Sequence, residues 1–506
     1  MPFSFVILWT DALVFVLVVI IAILVWYIRR HEHLLAPWRR VGKSASGMAA
    51  FTVLFFFIVI GLLDSIHFRP ALENRYKNGE PVYTAEVLSL FDVMVSPLRT
   101  NVEKTYSAPL AAYLYTKETV DLPDGRRARE FSRLKFGGAH LQHPETQRID
   151  DITSRTAAGI GSGLAVWVLI VTLLALFLAC RHQKSFRKSL SNIWRGTTEI
   201  PWNAVLITLA IILSLLGVIV MLSPHYHVLG TDKVGQDVLY QALKSIRTAL
   251  VIGAITTLIM LPFALLLGIM AGYFRGWMDD IIQYVYTTLN SIPSVLLIAA
   301  AVLMMQVYIE THPEFFETTA ERADLRLLFL CIILGITSWT GLCRLLRGET
   351  LKLREMEYIQ AAHAFGVSHW RVISRHILPN VMHIVLIATV MDFSGLVLAE
   401  AVLSYVGVGV DPSMISVGTM INAARLEMAR EPMVWWALLA AFCFMFTLVL
   451  SANLFADAVQ RAFDPRIQTL SEKTSILRRN IHRKKSPANP AITSTSSKKI
   501  KNTPPA

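Results

Sequence analysis

The residues of this chain with chemical potential fall into four groups. His31-x-His33 and His225-x-His227 have the spacing of paired metal ligands. Neither pair has a third ligand beside it, so both read as interfacial histidines and no metal site is assigned. In His227-Val-Leu-Gly230-Thr231-Asp232-Lys-Val-Gly235-Gln-Asp237 the acidic spacing is not that of an EF-hand. Gly230, Thr231, Asp232, Gly235 and Asp237 instead predict an external turn that caps a short helix containing Val238, Leu239 and Leu243. Asp392 and Glu400 lie in or near an apolar run, where carboxylates are costly. They either line a pathway or sit hydrogen-bonded, neutral or interfacial. The fourth group is a polar, basic segment between Glu349 and Asn380, flanked by apolar runs and therefore read as a loop facing water. No catalytic residue is assigned. The sequence has no phosphate-binding Gly-x-x-x-x-Gly-Lys loop followed by Ser or Thr, no His-Glu-x-x-His and no Gly-x-Ser-x-Gly.

The elements that position these groups are membrane spans. With 54% hydrophobic and 17% charged residues, the chain is not an ordinary soluble protein. Apolar runs of about eighteen residues, long enough to cross ~30 Å of hydrocarbon, recur along it. Nine spans are expected, at roughly 7–28, 47–66, 158–180, 203–223, 247–272, 282–307, 326–346, 382–404 and 434–456. The fold expected is an all-α polytopic membrane protein. The first run is read as a retained span, since it lacks a basic leader region. Cys180, Cys331, Cys343 and Cys443 lie in or beside apolar runs and read as small buried hydrophobes.

The placement of the +12 net charge matters more than its sum, so nucleic acid is not the expected partner. Arg29, Arg30, Arg39, Arg40 and Lys43 follow the first span; Arg181, Lys184, Arg187, Lys188 and Arg195 follow the third. By the positive-inside bias these loops are cytoplasmic, which puts the N-terminus outside and segment 347–380 and the C-terminus inside. On the outer face lie an acidic connection, Glu310 to Asp324, and an insert of about 67–157. The insert carries the turn signal Asp121-Leu-Pro-Asp-Gly125 and the pair Gly137-Gly138. It is either a small α+β domain or a loosely ordered cap on the spans. Three divisions follow: an extension, 1–200, with three spans and the insert; a six-span core, 201–466; and a Ser/Thr/Pro/Lys-rich tail, 467–506, expected to be disordered.

Within 349–380, Tyr358 to Ala364 are good helix formers and Gly366 interrupts them. A second helix from Ser368, capped by its hydroxyl, is expected to end at Ile377 before Pro379. Small Ala361 and Ala362 allow close approach. Such an elbow either sits in the cleft of a soluble partner or lies as an amphipathic loop on headgroups.

Ala361-Ala362, Gly366 and Leu378-Pro379 resemble the "EAA" loop of ATP-binding-cassette importer permeases, with Gln360 where the family often has Glu. The run His227 to Asp237 resembles the signature before the second core span of dipeptide, oligopeptide and nickel permeases, with Gln236 in place of the usual Arg. Ala271–Gly276, Ser291–Ser294, Leu398–Gly409 and Asn453–Arg466 follow in the family's order. The resemblance implies a permease subunit of a peptide importer in a bacterial inner membrane. It implies a second related permease, two ATPase subunits or domains holding ATP and Mg, an extracytoplasmic solute-binding protein and surrounding lipid as partners, with no cofactor on this chain. Gln360, Ala361, Ala362, Gly366, Arg371, Arg375 and Pro379 are the residues expected to meet the ATPase. Nickel is the alternative solute; a receptor or scaffold using the insert is the alternative class.

Overall fold

Strand β1 (Phe3–Val6) precedes the first span, α1 (Trp9–Arg30), and pairs antiparallel with β2 (His67–Lys77), which follows the second span. The ends of those two spans therefore lie together on one side. This is a computed structural model, and it describes residues 3–463 apart from 78–79, 85, 122–126, 184, 197, 313 and 315–317. The tail 467–506, the Asp464-Pro465-Arg466 motif and most of the Asp121–Gly125 turn fall outside the described residues.

Between α1 and β2 come α2 (Glu32–Val41) and α3 (Ala45–Asp64). Then β3 (Glu80–Tyr83), β4 (Leu88–Ser89), α4 (Leu90–Met94), α5 (Ser96–Thr100) and the hairpin of β5 (Glu118–Asp121) and β6 (Arg127–Glu130) make up the insert. The remaining helices are α6 (Pro144–His182), α7 (Phe186–Trp194), α8 (Trp202–Leu222), α9 (Val238–Phe274), α10 (Trp277–Ser291), α11 (Ser294–Thr311), α12 (Thr319–Arg354), α13 (Glu357–Ala364), α14 (His369–Val372), α15 (Leu378–Val406), α16 (Val417–Met428) and α17 (Trp436–Phe463). Among the described residues nine helices have the length and apolarity to cross a membrane, and the chain is an all-α polytopic membrane protein with small accessory sheets. Their outward residues, such as Ile23 and Trp26 on α1 or Leu169 and Leu173 on α6, are large, apolar and exposed. Only helices that satisfy their own backbone can tolerate that face in lipid.

The expected sixth span, 282–307, is corrected. It is two helices, α10 and α11, separated at Ile292-Pro293. Proline has no amide to donate and drives the preceding residue out of the helical region, and Ile292 is extended at φ −89°, ψ 132°. Several other spans are longer than their apolar runs: α6 starts at Pro144 and α9 at Val238, because polar turns continue the helix into the insert. Cys331 and Cys343 are buried as expected, whereas Cys180 and Cys443 are exposed on α6 and α17.

Helices α9 and α12 form the central pair. A Cβ on Gly268 would lie 2.8 Å from the Cys343 carbonyl oxygen, and one on Gly272 would lie 2.6 Å from Thr350 Cβ. Small residues let the two backbones approach this closely. In the extension, α6 and α8 meet the same way through Gly159, Gly163 and Gly217. The insert packs on the spans: Tyr106 shares an apolar cluster with Val238, Ala242, Val417, Met420 and Trp436.

Candidate functional site

The elbow is anchored from within and bare on its outer side. Ile359, Val372 and Ile377 are fully buried among Ile269, Tyr273, Ile282, Leu346 and Val381, which pins α13 and α14 to the ends of the central pair. Gly366 adopts φ +71°, the left-handed region that glycine enters at little cost. Its amide donates to the His363 carbonyl at 2.9 Å and the Val367 amide to the Ala362 carbonyl at 3.0 Å. That pair of bonds closes a helix C-terminus and turns the chain toward α14.

Two local expectations are corrected. Ser368 stands at the N-cap of α14, but its hydroxyl makes no capping hydrogen bond. Pro379 does not end the helix: a π turn at Ile373–Ile377 leads directly into α15, where Pro379 occupies the first turn. The wider i→i+5 turn accommodates a residue that lacks an amide and would otherwise crowd the preceding carbonyl.

A polar brace joins the elbow to the end of α9. Tyr273 Oη is 3.1 Å from His363 Nε2 and 2.8 Å from His369 Nδ1, so both arms meet one hydroxyl. Arg354 donates to the Tyr273 carbonyl at 2.7 Å, and Arg275 pairs with Glu355 at 2.6 Å. At the base of α10, Arg347 binds Asp279 through two bonds of 2.6 and 2.8 Å. A bidentate pair of this kind fixes angle as well as distance. The brace thus ties both arms of the elbow to α9, while the ion pairs tie the ends of α9, α10 and α12 to one another.

Of the expected contact residues, Gln360, Ala361, Gly366, Arg371, Arg375 and Pro379 are exposed, and neither arginine has an ion pair among the described residues. Ala362 is partly buried and packs against the core cluster. The sequence reading missed Phe365 and Trp370, which are 86% and 73% exposed on either side of the turn. Large aromatics in a water-facing loop were the signal available for them.

The outer turn is also corrected. It does not cap a short helix, since Asp237 caps the 37-residue α9, accepting from the Leu239 and Tyr240 amides at 2.8 and 3.3 Å. Nor is it open, because the insert is seated on it. The Glu103 amide donates to the Gly235 carbonyl at 2.9 Å, the Ser107 amide to Thr231 Oγ1 at 2.6 Å, and Trp436 Nε1 to the Thr231 carbonyl at 3.0 Å. Gly230 packs on the Ser107 carbonyl, and Asp232 folds the turn by accepting from the Val234 and Gln236 amides.

His227 joins the two parts. Its Nδ1 is 2.8 Å from Asp237 and its Nε2 is 3.5 Å from Glu103, which also accepts from the amides of Lys135, Phe136 and Gly137. Burial opposes charge on both groups, but the two carboxylates hold His227 up at about 9, while His227 and the three amides hold Glu103 down at about 2. The raised histidine contributes fully below its ordinary 6.5 and loses its contribution as pH rises through about 9. The depressed carboxylate contributes fully above its ordinary 4.5 and loses its contribution as pH falls through about 2. Amide exchange across 132–138 should therefore be slowest near pH 4.5–6.5 after correction for intrinsic rates, and protection should fall toward pH 9. Glu103→Gln should flatten the alkaline limb, and a profile unchanged by that substitution counts against the pairing.

Glu400 is 1% exposed and enclosed, with Oε1 accepting from Ser404 at 2.7 Å and Oε2 lacking a hydrogen-bond partner. Asp392 is half-buried on α15 and has no hydrogen bond or ion pair among the described residues. The two therefore differ in kind, one enclosed and hydrogen-bonded and one half-buried without a partner among the described residues.

A buried ionic cluster also went unseen in the sequence. Arg247 on α9 pairs with Asp11 on α1 at 2.6 Å; Asp11 also meets His67 at 2.7 Å, and Asp324 accepts from the Thr10 amide at 3.1 Å. Beside it Lys244 meets Asp64 at 3.0 Å and Asp92 at 2.7 Å, and Tyr240 donates to Asp92. Asp324, expected at the end of the acidic connection from Glu310, is one of these buried groups.

With this geometry in view, the comparisons with known proteins are specific. The family described as binding-protein-dependent transport system inner membrane component matches residues 264–469. The chain is 32% identical over 244 residues to the oligopeptide transport system permease protein of Mycobacterium tuberculosis (strain ATCC 25618 / H37Rv), an alignment covering 48% of this chain and 77% of that protein. It is 30% identical over 243 residues to a glutathione transport system permease protein of Pectobacterium atrosepticum, covering 48% and 74%. Against a dipeptide transport system permease protein of Bacillus subtilis the identity is 26% over 242 residues, covering 48% and 69%. The chain belongs to the family of binding-protein-dependent transport system inner membrane components. It is a multi-pass inner-membrane permease subunit of an ATP-binding-cassette importer.

Proposed function

We propose that this subunit moves peptides across the membrane, driven by a separate ATPase that seats on the α13–α14 elbow. The observation that carries the reading is the elbow's construction: its inner side is fastened to α9, α10 and α12, while Phe365, Trp370, Arg371 and Arg375 stand free on its outer side. A rigid projection of that kind transmits a push or pull into the spans as a rigid-body rotation. ATP and Mg are held by the ATPase pair, and no cofactor sits on this chain. Closure of that pair draws the elbows of this chain and a second, related permease together and turns the path outward, where a solute-binding protein delivers its load. The elbow and the C-terminus lie in the cytoplasm and the N-terminus outside, in keeping with the basic stretches after α1 and α6. Gln360, Ala361, Gly366 and Pro379 form the exposed contact face, and Asp392, without a partner among the described residues, is the acid that meets the path in this reading.

The test is uptake by the full complex in proteoliposomes. Labelled tripeptide should accumulate only with internal ATP, and Phe365→Ala/Trp370→Ala should lower uptake at least ~10-fold, equivalent to about 1.4 kcal/mol of lost coupling. Accumulation of nickel but not peptide would overturn the substrate, and full uptake by the double variant would overturn the docking role.

A further inference from the structure

The basic stretch after α6 carries a surface that neither coupling nor transport uses. Helix α7 packs against α6 and α8 through buried Ile193 and partly buried Leu190, which cluster with Val171, Ala175 and Leu206, and Ser189 is buried on the same helix. Away from that contact, Arg187 and Lys188 are exposed, as are Arg181 in the last turn of α6 and Arg195 at the C-terminal end of α7. Phe186 and Trp194 are exposed beside them, at 37% and 47%. None of these four cations makes an ion pair or hydrogen bond among the described residues, and no acid occurs between Arg181 and Glu199.

The stretch after α1 has a similar charge count and a different fate. There Arg39 pairs with Glu32 at 2.8 Å, Arg40 donates to the Ala462 carbonyl at 3.4 Å, and Arg30 lies 3.8 Å over the Trp26 ring. Arg30, Arg39 and Arg40 are thus engaged by the chain itself. The cations of the α7 corner are free, at the level where two apolar helices end.

We propose that the corner formed by α6, α7 and α8 binds anionic phospholipid headgroups. Arg181, Arg187, Lys188 and Arg195 meet the phosphates, while Phe186 and Trp194 sit at the acyl boundary. The pairing of free cations with exposed aromatics decides for lipid. An acidic soluble partner would satisfy the charges and leave the rings wet, whereas an interfacial helix satisfies both. Clustered basic residues beside a span are attracted to anionic leaflets, and aromatic rings favour the headgroup level.

The full-length protein, purified in detergent and titrated with phosphatidylglycerol or phosphatidylcholine, provides the test by native mass spectrometry. Phosphatidylglycerol should be retained preferentially, and Arg187→Gln/Lys188→Gln/Arg195→Gln should lower its retention about 10-fold or more, with phosphatidylcholine unaffected. Equal retention of the two lipids, or an unaltered preference in the variant, would overturn the proposal. In the unsubstituted protein, retention should fall with added salt, and salt-independent retention would also overturn it. Displacement of the lipid by inorganic phosphate at equal concentration would assign the site to free phosphate instead. In nanodiscs, amide exchange over 186–195 should slow with phosphatidylglycerol alone; slowing only when the ATPase is added would make this a protein-docking surface and end the lipid reading.

Discussion

Gly366→Trp should reduce peptide uptake at least ~10-fold while leaving insertion and abundance unchanged and ATP hydrolysis running. The reason lies in what surrounds the residue. A Cβ there meets nothing within 4 Å, so the indole creates no clash inside the chain. The φ of +71° costs a non-glycine residue about 1–2 kcal/mol, a local strain that the anchors Ile359, Val372 and Ile377 can absorb. The bulk instead adds to the exposed face that carries Phe365 and Trp370, the face proposed to seat the ATPase. Gly366→Asn separates the two effects, because asparagine tolerates the left-handed region with little added volume, and it should retain most of the uptake. Hydrolysis and uptake falling together in the Trp variant would mean a lost ATPase site or a misfolded elbow. Normal uptake would remove Gly366 from the coupling surface.

The second large effect is expected far from the elbow. Asp11→Leu strips Arg247 of its 2.6 Å partner and leaves a guanidinium in a buried site, with Asp324 4.0 Å away as the nearest remaining carboxylate. Removing one member of a buried pair typically costs about 3–5 kcal/mol, since the survivor's desolvation is no longer offset. The detergent-solubilised protein should therefore lose stability sharply, read as a fall in its unfolding temperature. Asp11→Leu/Arg247→Met should recover part of it, because the stranded guanidinium is gone while buried Asp324 loses its cation and keeps only its hydrogen bonds from Thr10. Equal losses in the single and double variants would show that packing of α1, not the ion pair, sets the stability. The experiment also measures how firmly the extension is joined to the core. Asp11 belongs to α1, whereas Arg247 and Asp324 belong to the central pair α9 and α12.

Much of the fold was legible because its signals are local. A run of about eighteen apolar residues states its own fate in a membrane, and eight of the nine expected spans appear as single helices near their expected places. The sixth failed at Pro293, where one ring outweighed the hydrophobicity on either side. The elbow was visible for the same reason: helix formers, then Gly366, then more helix formers. Its finer form was not. The π turn before Pro379 and the inward side of Ala362 depend on how Ile359 and Ile377 seat against α9 and α12. Neither seat is encoded within the segment.

By itself, then, the sequence determined eight of the nine expected spans, the helix-turn-helix elbow and the motifs that resemble an importer permease, all properties of neighbouring residues. Tertiary structure alone decided that the outer turn lies beneath the insert, with Glu103 brought to His227, and that Asp11, Asp64, Asp92, Lys244, Arg247 and Asp324 form buried pairs. Those residues are dispersed across more than three hundred positions, and each alone reads as an exposed or costly charge. Their partners are chosen by the packing of α1 and α3 on α9. Low dielectric then turns proximity into strong attraction, an effect that no stretch of sequence carries until the helices have met.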